Sequence, residues 1–210
     1  MKRHTLLIGL ALVAACQLSF GQTDTNVIAV GDWSAPATND FIAIRGRLIV
    51  YGELTPDTNF PEVVGAYAGS MARVYLELQA VPPFSWAPVE VYFDRDLECL
   101  HVEMRDDHDK LIPEKTYSIS YLMPSPFFMV MVSDSTIRVR VDMGTGGWNK
   151  PHDREIFVAG RDWLVSPDTG KEYYLSATFK PLTNCPSAHN YHLWQGTLEL
   201  PKVKIPIKKK

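Results

Sequence analysis

Four residues in two segments have the chemistry from which a metal site can be built. His189 and His192 lie three apart in SAHNYHLW (187–194), and His152 and Asp153 are adjacent in NKPHD (149–153). Imidazoles and a carboxylate that converge from two loops can hold zinc, and a metal-dependent hydrolase is therefore the third function considered. Residues three apart on a strand point to opposite faces, however. We expect all four to be polar loop and rim residues with no metal bound.

Aromatic side chains are the second set of candidates for ligand contact. Tyr75, Tyr92 and Tyr174 alternate with apolar residues, which places them on the polar faces of predicted strands. Outward rings can form a platform on which sugars stack, but tyrosine also stabilises sheets by pairing across strands. Three further aromatic residues flank loops or strand ends, where the binding sites of β-sandwiches collect. These are Trp148, Trp163 and Tyr191.

The sequence lacks the common signatures of catalysis. It contains no G-x-S-x-G elbow, no H-E-x-x-H, no C-x-x-C pair and no phosphate-binding glycine loop. The glycine-rich GTGG (144–147) follows a predicted strand and leads to Trp148 instead of a helix, so no helix dipole is available for a phosphate. We expect a non-enzymatic protein with no catalytic residues and no cofactor.

The first residues have the anatomy of a secretory signal. Met-Lys-Arg-His is followed by a short apolar run and then by small residues. The run is shorter than the ~20 apolar residues of a membrane-spanning helix. Val13-Ala14-Ala15-Cys16 resembles the lipobox of bacterial lipoproteins, which implies a lipid on Cys16 and an outer-membrane or cell-surface location. The alternative is ordinary cleavage after Gly21, which makes residues 1–21 the signal and the product periplasmic or secreted.

Either cleavage leaves Cys99 and Cys185 as the two cysteines that can pair. An even pair in an exported chain predicts a disulfide. The loop it would close is long, and the chain-entropy argument gives a stabilisation on the order of 4 kcal/mol. The alternative is two unpaired cysteines that behave as small apolar residues.

Charge is divided between an acidic body and a basic end. The formal net charge is −3. Losing Lys2 and Arg3 with the signal removes two positive charges, and setting aside the five lysines of KVKIPIKKK (202–210) removes five more, so the body carries −10. A nucleic-acid partner favours a basic face, so we expect none. Residues 208–210 are predicted to form a solvated, disordered tail.

Nearly every patterned segment alternates apolar and polar residues with period two, which predicts strands with one buried face. The run 127–132 does not alternate and is predicted to be covered on both faces. Together with frequent turn residues, this pattern predicts an all-β fold with little or no helix after the signal. We expect one antiparallel β-sandwich over residues 27–207, with nine to eleven strands. The alternating segments are 74–79, 89–94, 99–104, 137–143 and 173–180.

The apolar residues of the last predicted strand change parity along the strand. Leu198 and Leu200 share one parity, whereas Val203 and Ile205 share the other. A regular strand cannot bury both sets on one face. Pro201 has no amide donor and lies at the change of phase, so a bend or bulge is predicted there.

Two segments resemble parts of known exported proteins. LHVEMRDDHDKLIP (100–113) is similar to a hairpin of immunoglobulin-like domains in exported bacterial proteins, and WQGTLELPKVKIP (194–206) resembles their last strand. The resemblance implies a sandwich and an exported protein, and no chemistry. We therefore expect an interaction or structural module of the cell envelope, whose partner is an envelope protein or a glycan. A carbohydrate-binding module that uses surface aromatics is the alternative.

Overall fold

The alternating sequence folds into an all-β chain. A computed structural model describes residues 27–38, 42–52, 73–84, 88–94, 97–115, 127–132, 134–146, 154–166, 170–182 and 191–207. These residues form fourteen strands, and none of the described residues is helical. In chain order the strands are β1 (Val27–Val30), β2 (Ala37–Thr38), β3 (Ile42–Tyr51), β4 (Arg73–Phe84), β5 (Val89–Phe93), β6 (Leu100–Asp106), β7 (Phe127–Met131), β8 (Thr136–Arg140), β9 (Asp142–Gly146), β10 (Arg154–Val158), β11 (Arg161–Val165), β12 (Tyr173–Phe179), β13 (His192–Leu193) and β14 (Leu198–Ile205).

The strands are organised in four small sheets. Sheet A has the order β1-β3-β4-β8, with β2 also paired to β3, and sheet B has the order β14-β12-β6. Sheet C has the order β13-β5-β7, and sheet D has the order β11-β10-β9. Within the described ranges every pairing is antiparallel except the two-residue match of β13 with β5. The predicted all-β, antiparallel fold class is confirmed.

Sheets A and B pack against each other as the main layers of a sandwich, and β3 lies over β14 where they meet. Gly46 of β3 is the point of closest approach. A Cβ placed on Gly46 would lie 2.8 Å from Leu200 Cδ2 and 3.1 Å from Leu198 Cδ1. Glycine therefore leaves the space into which both leucines of the opposite layer fit.

Sheets C and D extend the same core. Phe93 of sheet C stacks on Phe179 of sheet B with ring centroids 5.5 Å apart, and Phe179 stacks in turn on Trp194 at 6.2 Å. Sheet D continues sheet A through Val141, whose N–H donates to Val74 and whose carbonyl accepts from Ala159. The buried apolar residues consequently form one cluster that draws on all four sheets.

The predicted irregularity at Pro201 is confirmed. Leu200 pairs with Ala177 and Val203 pairs with Leu175, so two residues of β14 stand opposite the single residue between those partners. This β-bulge shifts the phase of the strand. Leu198, Leu200, Val203 and Ile205 are consequently all buried, while Lys202 and Lys204 remain exposed.

Other expectations need correction. The strands outnumber the predicted nine to eleven because β2 and β13 are two-residue pairings and β3, β10 and β11 carry no clear alternation. The run 127–132 is not covered on both faces, since the side chains of Val130 and Val132 are exposed.

Replacing Ile205 with Asp tests the bulge. Ile205 is 2% exposed, so the carboxylate would be buried without a partner, and we expect the free energy of unfolding to fall by at least about 3 kcal/mol. Urea denaturation measures the loss. Gln195→Asp, at an exposed position just before the strand, is the matched control. An Ile205→Asp protein that unfolds at the same urea concentration as the parent would contradict the conclusion that the apolar residues before and after Pro201 all lie in the core.

Candidate functional site

The three tyrosines predicted to lie on polar strand faces are all half-buried, but they do not form one platform. Tyr75 lies in sheet A, Tyr92 in sheet C and Tyr174 in sheet B. Each has a local partner. Tyr75 packs edge-on against Tyr51 with centroids 5.0 Å apart, and Tyr92 packs against Phe128 at 5.0 Å. The Tyr174 hydroxyl donates to Glu172, and this hydrogen bond raises the tyrosine's pKa.

The remaining candidates divide into three groups. Trp163 is 1% exposed in β11, so the expectation of a surface ring is corrected: the indole belongs to the buried core cluster. Tyr191 and His192 are exposed on either side of the start of β13. The other predicted residues lie outside the described residues, namely Cys16, Trp148, His152, Asp153, Cys185 and His189.

Cys99 is buried. It lies in the turn before β6, and Asp94 accepts hydrogen bonds from its amide and from that of Glu98. Burial, reinforced by the Asp94 carboxylate, raises the pKa of the thiol far above its usual value. Cys99 is a free thiol in this structure, and the disulfide with Cys185 stays a prediction.

The outer surface of sheet A carries a concentration of arginines. Residues of β3, β4 and β8 that alternate with the core residues point away from sheet B. Among the described strand residues of this surface, five are arginines and Glu77 supplies the acidic group. The arginine face consists of Arg45, Arg47, Arg73, Arg138 and Arg140, arranged around Glu77.

Glu77 holds the centre of the arginine face. It pairs directly with Arg47 on one neighbouring strand and with Arg138 on the other. Arg47 contacts one carboxylate oxygen at 2.6 Å, and Arg138 contacts the other at 2.7 Å. Arg138 also donates to the hydroxyl of Tyr51. The Glu77 side chain is 5% exposed, so its charge is compensated by two guanidiniums instead of by water.

Trp33 stacks against two guanidiniums of the arginine face, those of Arg45 and Arg47. The guanidinium of Arg45 lies 4.6 Å from the centroid of the indole, and that of Arg47 lies 4.2 Å from it. Arg45 also donates two hydrogen bonds, of 2.9 and 2.7 Å, to the side-chain oxygen of Gln79. Cation–π stacking and hydrogen bonding thus hold these two guanidiniums in a fixed plane.

Removing the charge of Glu77 tests this arrangement. Glu77→Gln keeps the shape but leaves the two guanidiniums without their anion, and we expect the free energy of unfolding to fall by about 2–3 kcal/mol. The loss should stay below that of a fully buried pair because Arg138 is 41% exposed and water takes over part of its solvation. Thermal or urea unfolding measures it. Glu199→Gln, an exposed acid that accepts from Thr178, should cost far less; equal losses would contradict the central role of Glu77.

A second feature is a groove of about 190 Å³ between sheets B and D. One wall is the segment 111–115, which bridges the two sheets: the N–H of Ile112 donates to Met104 of β6, and that of Lys115 donates to Asp162 of β11. None of the lining residues is a Ser, Thr or Cys that could act as a nucleophile. They are His101, Glu103, Leu111, Ile112, Pro113, Glu114 and Trp163.

Arg161 contacts two of the side chains that line this groove. It donates to Glu114, and its Nη2 lies 2.8 Å from Nδ1 of His101. A guanidinium cannot accept a hydrogen bond, so Nδ1 of His101 must be the acceptor. That nitrogen is therefore committed to a structural contact and is not positioned as a catalytic base.

The turn before segment 111–115 depends on Asp106. Its carboxylate accepts the amides of Lys110 at 2.9 Å and His108 at 3.0 Å. These backbone hydrogen bonds, the one from Lys110 first, hold the pKa of Asp106 below its ordinary value of 3.8. The pKa of Asp106 is therefore lower in the folded state than in the unfolded state, so the ionised carboxylate stabilises the fold at pH values above the pKa of the unfolded state. This contribution disappears as the pH falls through the pKa of the folded state.

The pH dependence of unfolding tests the role of Asp106. We expect Asp106→Asn to be less stable than the parent near neutral pH and the difference to close as the solution is acidified below about pH 4. Urea midpoints measured across the acidic range give both profiles. Asp107→Asn, at the exposed neighbouring position, should follow the parent. Parallel profiles for parent and Asp106→Asn would contradict the role assigned to the ionised carboxylate.

Sequence reasoning missed the arginine face. The available signal was the alternation of Arg138 and Arg140 with Ile137 and Val139, which places two arginines on one strand face.

The described residues contain no group of three or more His, Cys, Asp or Glu that could hold a metal ion. They also contain no helix of the length and apolarity needed to cross a membrane. Comparison with protein-family models, curated proteins and solved structures gave no match.

Proposed function

We propose that this protein is a non-enzymatic interaction module of the bacterial cell envelope and that the arginine face is its interaction surface. The observation that carries the proposal is the grouping of five arginines on one sheet face of a chain with net charge −3. Arginine guanidiniums recognise anionic groups through paired, charge-assisted hydrogen bonds. Such a face therefore fits an anionic partner in the envelope.

The groove between sheets B and D is internally paired and is not part of the proposed interaction surface. Its histidine accepts from Arg161, and its lining offers carboxylates, an imidazole and apolar side chains but no hydroxyl or thiol nucleophile. Export rests on the signal-like N-terminus and the lipobox-like residues before Cys16. A lipid on that cysteine would hold the sandwich at the membrane, within reach of envelope polymers.

Carbohydrate binding through surface aromatics is the second candidate. Tyr75, Tyr92 and Tyr174 lie in three different sheets, so they give no common platform. Tyr75 alone lies beside the arginine face, opposite Arg140 in the register of β4 and β8. This position favours sugar contact as a part of anion recognition instead of an independent function.

Sedimentation with isolated cell envelopes tests the proposal. We expect the purified protein to sediment with envelopes of the source bacterium, and less so as salt screens the charges. The double variant Arg73→Gln/Arg140→Gln removes two exposed guanidiniums and should lower the bound fraction severalfold. Arg105→Gln, whose guanidinium pairs with Glu103 in sheet B, is the matched control. The proposal fails if the double variant sediments like the parent.

A further inference from the structure

We infer that the arginine face binds an acidic polysaccharide through the carboxylates of its sugars, an inference that rests on the proposed function and specifies its ligand. The face itself shows the recognition geometry. Guanidiniums from β3 and β8 bracket the carboxylate of Glu77, with contacts of 2.6 Å from Arg47 and 2.7 Å from Arg138. Arg45 and Arg73 present the same chemical group on this face and can make such contacts with a carboxylate that arrives from outside.

The described strand residues of the arginine face carry a net positive charge, because they include five guanidiniums and one carboxylate, that of Glu77. The contacts that hold Arg45, Arg47 and Arg138 go to Glu77, to Gln79 and to the hydroxyl of Tyr51. These contacts use only part of the five N–H donors that each of the three guanidiniums carries. The excess of positive charge on these strands can be matched by a polyanion.

The layout suits an extended, repeating ligand. Alternate residues along a strand lie about 7 Å apart, and β3 and β8, with β4 between them, lie about 10 Å apart. Arginines at these positions form a flat array and not a pocket, so they can meet successive charges of a polymer chain. Trp33 and Gln79 already hold Arg45 in its plane, which lowers the conformational entropy lost on binding.

Aromatic exposure separates a sugar polymer from a nucleic acid. Single-stranded nucleic acids bind where bases stack on open aromatic faces. The indole of Trp33 is covered by the guanidiniums of Arg45 and Arg47. Tyr75 packs edge-on against Tyr51 and is half-buried, so it offers a small amphipathic surface that matches the apolar side of a sugar ring.

The same face is unsuited to a membrane surface or an apolar peptide. Among the large apolar side chains that are exposed in the described residues, Val30 of β1 is the one that belongs to sheet A. Interfacial membrane binding and peptide docking both depend on burying several apolar side chains. The acidic remainder of the chain repels a polyanion, so it orients the ligand toward the arginine face.

Titration with defined polymers tests the inference. The purified protein is titrated with polygalacturonate, with neutral dextran, with oligothymidylate and with vesicles of an anionic phospholipid, at low and at physiological salt. We expect binding to polygalacturonate that weakens with salt, and no binding to dextran. Arg45→Gln and Arg73→Gln should each lower the affinity about tenfold, the loss of roughly one charge-assisted contact. Arg105→Gln should leave it unchanged, and thermal unfolding verifies that every variant is folded.

The outcomes distinguish this inference from the proposed function. Tighter binding of oligothymidylate or vesicles than of polygalacturonate, lost in the same arginine variants, overturns the polysaccharide assignment and keeps the arginine face as the interaction surface. Equal binding of dextran overturns a role for the sugar carboxylates. If no polymer binds, and if the arginine variants sediment with envelopes to the same extent as the parent, both proposals are wrong.

Discussion

The contact between β3 and β14 at Gly46 is the constraint on which the sandwich depends. Leu198 and Leu200 fill the space above the glycine, and a Cβ at that position would overlap them. Sheets A and B can therefore approach closely only where one layer has no side chain and the other presents large aliphatic ones. The bulge in β14 serves the same contact, because it lets Val203 and Ile205 remain in the core after the phase has changed.

This packing also determines the chemistry of the outer surface. Once one set of alternating residues of β3, β4 and β8 is committed to the core, the other set must face outward. On β3 and β8 these include arginines, and on the central strand they include Glu77. A carboxylate in the middle of a sheet face is shielded from water by its neighbours, so it needs cationic partners on both flanking strands. The fixed positions of Arg47 and Arg138 in the arginine face are thus a consequence of the burial of the Glu77 carboxylate.

Charge is distributed unevenly as a result. The chain as a whole carries −3, yet one sheet face concentrates five guanidiniums, three of which are held by Glu77, Gln79 and Trp33. A positive face on an acidic body produces a directional electrostatic field, which guides anionic partners to one orientation. The arrangement of the groove differs, since Arg161 there neutralises Glu114 and contacts His101 across a short distance. The two surfaces therefore differ in kind: one presents surplus positive charge, and the other is internally paired.

The sequence alone determined the features that depend on local pattern. Period-two alternation was enough for the all-β class and for the outward position of residues such as Tyr174, and the change of parity at Pro201 was enough for the bulge. Alternation assigns a residue to a face of its own strand, but it carries no information about which strands become neighbours. Only the tertiary structure could bring Arg47 and Arg138, 91 positions apart, to the two sides of Glu77. It also decided that Trp163 is buried and that the three outward tyrosines lie in separate sheets, because burial and adjacency depend on how distant strands pack together.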